Sequence, residues 1–178
     1  MEEQVVLVNE QDEAIGLAGK MEAHTKGLLH RAFSVFIFNP EGQLLLQRRA
    51  LEKYHSAGLW TNTCCSHPRE GELVAEAATR RLQEEMGFSV PLTEIFDFIY
   101  KADCGNGLVE NEFDHVLTGE YTGIVPFNPD EVMDSRFMNM AAIQQWMETE
   151  PDAFTVWFKI AFPRIRLWWS SRYAQIAA

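Results

Sequence analysis

With 178 residues the chain has room for one domain with a proper core, and 47% hydrophobic beside 23% charged residues excludes a disordered polymer. The formal net charge of −11 argues against a nucleic-acid surface, so any anionic ligand needs local basic residues to overcome the general field. No apolar run approaches the ~20 residues of a membrane span, and the acidic start Met1-Glu2-Glu3 lacks the pattern of a signal peptide; the expectation is a cytoplasmic protein.

Val5 to Val8 reads as a first strand, after which Asp12 and Gly16 mark turns. Ala32 to Phe38 and Gln43 to Gln47 are apolar runs on either side of Asn39-Pro40-Glu41-Gly42, which predicts a hairpin. Glu72 to Met86 holds neither Gly nor Pro and stops at Gly87, a helix with a glycine cap. Ile95 to Tyr100 and Leu108 to Tyr121 read as strands joined by a loop over Asp103 to Gly107, with a short strand near Ser135 to Met138. Ala141 to Met147 and Phe154 to Phe162 read as helices, the latter begun by Pro151 and interrupted by Pro163 before Arg164 to Tyr173. Strands first and helices last, with one helix between, predict an α+β fold and a single domain over residues 1–178. The cysteines, Cys64, Cys65 and Cys104, are odd in number and form no C-x-x-C pair, so free thiols are expected.

Among the five histidines, His24, His30 and His67 stand in suggestive places, while His55 and His115 receive no role. Glu110 and Glu112 fall on one face of the predicted strand by its period of two. Three imidazoles and two carboxylates make a mixed set suited to a divalent ion such as Mn²⁺, Mg²⁺ or Zn²⁺. Asp114 shares their parity, however, and a solvated acidic strand face competes with the metal reading.

Arg80-Arg81-Leu82-Gln83-Glu84-Glu85-Met86-Gly87 resembles the end of a Nudix box. Counted from Gly71, the box has Ala77 in place of its first Glu, and Arg81 replaces the Glu of its Arg-Glu pair. Because Nudix hydrolases gather metal ions with those carboxylates, the losses weaken a hydrolase reading, which is kept as the alternative. Glu84 is assigned to the helix's outer face.

Trp60 to Pro68, with Ala23-His24-Thr25, Leu29 to Phe33 and Val109 to Glu112, resembles the motif set of type 1 isopentenyl diphosphate isomerases, members of the Nudix superfamily that isomerise rather than hydrolyse. The motifs follow the family's order from Lys20 to about Trp157. The resemblance implies a Nudix-like mixed sheet flanked by helices, with isopentenyl and dimethylallyl diphosphate as the small-molecule partners. It implies a divalent ion on His24, His30, His67, Glu110 and Glu112, and a Mg²⁺ held with the substrate diphosphate by Glu85. Lys20, Arg49, Lys53 and Arg81 correspond to diphosphate-binding residues, and Cys65 and Glu112 to the proton-transfer pair. Tyr100 falls at a position that assists Glu112, and Trp157 at one that faces the carbocation. Cys64, Cys104, Trp60, Trp146, Trp168 and Trp169 are assigned to packing. The expected protein is a monomer or homodimer with no membrane or nucleic-acid partner.

Overall fold

The computed structural model describes residues 3–173. Nine strands form one branched mixed sheet, with helices on both faces. Strand β1 (Gln4–Val8) pairs antiparallel with β2 (Ala14–Gly19), and helix α1 (Lys20–Lys26) follows. Asp12 does turn the chain, at φ 62°, but Gly16 lies inside β2 opposite Leu7. The sequence did not show β2 because most of its residues are exposed, which leaves no apolar alternation to read.

Strand β3 (His30–Phe38) is the hub. It meets β1 at His30 and β4 (Leu44–Arg49) at Phe38, across the predicted turn. Along its length it pairs in parallel with β8 (Val109–Glu120) and antiparallel with β6 (Cys64–Ser66). Beyond β8 lies β7 (Thr93–Asp103), while β4 carries β5 (Trp60–Thr61) and β9 (Val132–Met138).

Both faces of β3 are buried, and its period of two sorts them. Phe33, Val35 and Ile37 pack with Ala77, Ala78, Leu82 and Met86 of helix α2 (Val74–Met86). Phe36 and Phe38 face Phe158, Phe162 and Ile165 of helix α4 (Val156–Arg172), with Ile143 of helix α3 (Met140–Thr149) in the same cluster. Helix α2 ends on Gly87 at φ 78°, as expected; a Cβ there would collide with the Pro126 carbonyl oxygen.

Two expectations at the C-terminal end need correction. Pro151 opens a short 3-10 turn rather than the helix; Phe154 bridges to Trp60, and Thr155 then caps α4 by accepting from the Phe158 amide at 3.4 Å. Nor does Pro163 interrupt α4. It sits on the exposed side, where the Lys159 carbonyl that lacks its N–H partner can be met by water, while Phe158, Ala161, Phe162 and Ile165 are buried on the other side and hold the helix to the sheet.

Candidate active site

Three adjacent strands set the first row of the site. In register, β3 places His30 beside Glu112 of β8, and β7 places Tyr100 on the other side of the same Glu112. Short helix α1 adds His24 and Lys20 one turn apart on one face, and β6 leads into His67. Local spacing and long-range pairing together gather five ligand atoms, from His24, His30, His67, Glu110 and Glu112, all within 4.8 Å of one another.

The tautomers follow from the backbone. His24 Nδ1 lies 2.7 Å from the Lys20 carbonyl oxygen and His30 Nδ1 lies 2.8 Å from that of Leu28, so each Nδ1 carries the proton and each Nε2 presents a lone pair to the cluster. His30 Nε2 then stands 3.2 Å from His67 Nε2 and 3.5 Å from Glu112 Oε1. His24 Nε2 stands 3.4 Å from Glu110 Oε2, and both atoms are buried without a hydrogen-bond partner. Each such orphan costs roughly 1–3 kcal/mol. Burial and the neighbouring His30 hold His67 well below its usual pKa, in the neutral form that ligates metals. Acceptors facing acceptors in a dry site suit a divalent cation, and this donor set fits one. The solvated-face reading of the acidic row is overturned, because Glu110, Glu112 and Asp114 are 5%, 7% and 1% exposed.

One pocket joins this cluster to the remaining expected residues. Tyr100 Oη donates to Glu112 Oε2 at 2.6 Å, while Oε1 faces His67 Nε2 at 3.1 Å, so the two oxygens of Glu112 have different partners. Burial and the Glu112 carboxylate push the Tyr100 phenol well above its ordinary range, which keeps it a donor. Cys64 and Cys65 point to opposite sides of β6: Cys64 packs beneath α2, whereas Cys65 lines the pocket. Burial and the nearby Asp114 push the Cys65 thiol up, so it is held as S–H. Trp157 forms part of the wall and lies 5.2 Å beneath the Arg49 guanidinium.

The pocket is also lined by four basic residues, Lys20, Arg49, Lys53 and Arg81. Lys20 pairs with Glu3 at 2.9 Å, and Lys53 pairs with Glu131. Arg81 meets Glu84 at 2.6 Å, Glu85 at 2.5 Å and Glu131 at 3.4 Å. The Nε atoms of Arg49 and Arg81 are buried and unpartnered. Glu85 is 4% exposed, accepts from Gln47 at 2.9 Å and lines the pocket, whereas Glu84 sits on the outer face.

The count along α2 also changes. With seven residues intervening before Arg80, the first Glu of the Nudix box falls on Glu72 and its first Gly on Ser66, so the absence expected at Ala77 is no defect. Glu72 accepts from Arg80 at 2.7 and 2.8 Å, a forked pair at the helix start. Among the acidic positions of the box, Arg81 is the departure.

Several residues escaped the sequence reading. His55 is 5% exposed, and its Nε2 lies 3.2 Å from Glu110 Oε1; half-buried Cys104, expected to be only packing, joins these two in a second cluster within 4.8 Å. Tyr54 also lines the pocket. Their one signal was position, immediately after Lys53, because a loop has no periodicity. Glu131 gave none, being distant in the chain from Lys53 and Arg81. His115 lies outside the pocket, between Glu94 at 2.7 Å and Asp12 at 2.9 Å.

The chain matches the NUDIX domain model over residues 28–158. It is 52% identical over 159 residues to "Isopentenyl-diphosphate Delta-isomerase 2" of Photorhabdus laumondii, covering 89% of this chain and 90% of that protein. The isopentenyl-diphosphate Delta-isomerase of Serratia proteamaculans is 46% identical over 178 residues, covering 100% and 99%. Among solved structures, the DR0079 protein of Deinococcus radiodurans superposes with a TM-score of 0.75 at 19% identity, over 91% of this chain and 98% of that one, and a MutT protein of Methanosarcina mazei with 0.62 at 18%, over 76% and 91%. At such identities the two structures speak for the fold alone. The domain model and these relatives show that the chain belongs to the NUDIX domain family and, within it, to the isopentenyl-diphosphate Delta-isomerases.

Proposed function

We propose that the protein interconverts isopentenyl and dimethylallyl diphosphate by a 1,3-proton shift, as a single catalytic domain over residues 1–178. The observation that carries this reading is one pocket lined by a buried carboxylate, Glu112, a thiol, Cys65, an aromatic wall and four basic side chains. An alkene carbon is a very weak base, so one group must protonate the terminal carbon and another must remove a proton two carbons away. Cys65 and Glu112 are those groups. Tyr100 supports Glu112 through its 2.6 Å hydrogen bond. The Trp157 ring stabilises the tertiary carbocation between the two transfers by about 0.5–2 kcal/mol.

Lys20, Arg49, Lys53 and Arg81 bind the diphosphate and so fix which carbons lie near Cys65 and Glu112. His24, His30, His67, Glu110 and Glu112 would hold one divalent ion, Mn²⁺, Mg²⁺ or Zn²⁺, and Glu85 would hold a Mg²⁺ together with the diphosphate. The chemistry supplied there is positive charge, which keeps Glu112 oriented and neutralises the substrate anion.

No helix among the described residues is long and apolar enough to cross a membrane, and we place the enzyme in the cytoplasm. The proposed assembly is a monomer or a homodimer.

Incubation with isopentenyl diphosphate and Mg²⁺ is expected to yield dimethylallyl diphosphate with no stoichiometric phosphate. Phosphate release without isomer would favour the hydrolase alternative, against which Arg81 stands at an acidic position of the box. Arg81→Ala is expected to weaken substrate binding by roughly 1.5–3 kcal/mol, the contribution of a charged hydrogen bond. An unchanged KM would remove Arg81 from the diphosphate site.

A further inference from the structure

Asp114 is a buried carboxyl that the two-group scheme leaves without a task. It lies two residues beyond Glu112 on the same face of β8. Its Oδ2 accepts a 2.8 Å hydrogen bond from Ser34 Oγ on β3, and Ser34 Oγ stands 3.5 Å from Cys65 Sγ. Ser34 and Cys65 are register partners, so their side chains leave the sheet side by side. On its other flank the thiol donates to Asn62 Oδ1 at 3.0 Å. Asn62 cannot turn: its amide group donates to the carbonyls of Val35 and Cys64, each at 3.0 Å, and Oδ1, which also accepts from Thr61 Oγ1 at 2.9 Å, is left facing the sulfur. Ser34 gives its one hydroxyl proton to Asp114 and so presents only lone pairs to the sulfur; the single thiol proton therefore has an acceptor on each flank, Asn62 Oδ1 at 3.0 Å and Ser34 Oγ at 3.5 Å.

We infer that Ser34, held by Asp114, and Asn62 form a bracket that fixes where Cys65 Sγ stands in the pocket. All three are positioning residues. Ser34, Asn62 and Asp114 are 4%, 0% and 1% exposed, so water does not compete for these bonds. A thiol on a single methylene otherwise chooses among three rotamers, and an alkene carbon offers no hydrogen bond to choose for it. The Asp114 arm further ties the sulfur to β8, the strand that carries Glu112, so the bracket also sets the spacing of the two proton-transfer groups. This inference rests on the role proposed for Cys65.

The test measures kcat, KM, metal content and melting temperature for Ser34→Ala, Asp114→Asn, Asp114→Leu and Cys65→Ala, with isopentenyl diphosphate and Mg²⁺. Ser34→Ala and Asp114→Leu are expected to lower kcat about tenfold at unchanged KM and metal content, the effect of a misplaced reacting group. Asp114→Asn keeps an oxygen acceptor for Ser34 and is expected to restore most of that loss, a rescue that general destabilisation would not give. Wild-type kcat in both Ser34→Ala and Asp114→Leu, or equal losses in Asp114→Asn and Asp114→Leu, overturns the bracket. Should Asp114→Leu not fold, Ser34→Ala, which deletes one oxygen, decides alone. An active Cys65→Ala would instead remove the role of Cys65 itself, whereas an inactive one beside unimpaired Ser34→Ala sinks only the bracket.

Discussion

Cys65→Ala is expected to lose roughly 10²–10⁴-fold in turnover, the contribution of a positioned proton-transfer group, while its metal content stays at the wild-type level. The separation is possible because Cys65 lines the pocket without belonging to the five-residue cluster. Glu112 is different, since Oε1 faces the histidines and Oε2 faces Tyr100. Glu112→Gln is therefore expected to lower metal content and turnover together. Solvent-deuterium incorporation into both five-carbon diphosphates, measured beside elemental analysis, distinguishes the two variants. A Cys65→Ala protein that isomerises at the wild-type rate would refute the two-group mechanism. Cys64→Ala is the matched control, because that thiol packs beneath α2 on the other side of the sheet.

His67→Asn is expected to lower metal affinity at least 10–100-fold, a range already reached when groups that merely support a ligand are removed, and activity should fall in parallel. The reason lies in how the cluster is built. His67 Nε2 is the meeting point of Glu112 Oε1 at 3.1 Å and His30 Nε2 at 3.2 Å, so its loss takes a donor from the middle of the set. Asn supplies a weaker, shorter ligand. Metal content by elemental analysis and activity against added Mn²⁺, Mg²⁺ or Zn²⁺ check the prediction. Undiminished metal after separate substitution of all five residues would dissolve the proposed site.

The metal set shows how local chemistry became legible before any fold was known. Glu110 and Glu112 share a strand face because side chains alternate, and that holds wherever the strand is placed. Whether the face was wet or dry was not legible, and Asp114 pointed toward the wrong answer. Burial of that row required β3 and β7 on either side of β8, pairings between segments far apart in the chain. His55 failed for the same reason: it lies in a loop, its partner Glu110 lies on the distant strand β8, and nothing near His55 in sequence announces it.

Helix α2 with its Gly87 cap and the apolar strand β3 were determined by the sequence itself. In each case the cause is local, whether a left-handed glycine after a run of helix formers or an alternation of period two. The continuity of α4 through Pro163, the strand β2 without an apolar pattern, and the Asp114–Ser34–Cys65 row were decided only by tertiary structure. Burying one side of α4 against the sheet outweighs the bond that Pro163 lacks, and sheet pairing holds β2 where its own residues state no preference. The row exists because the parallel register of β3 and β8, set by contacts all along both strands, brings Ser34 beside Asp114 while β6 brings Cys65 to Ser34.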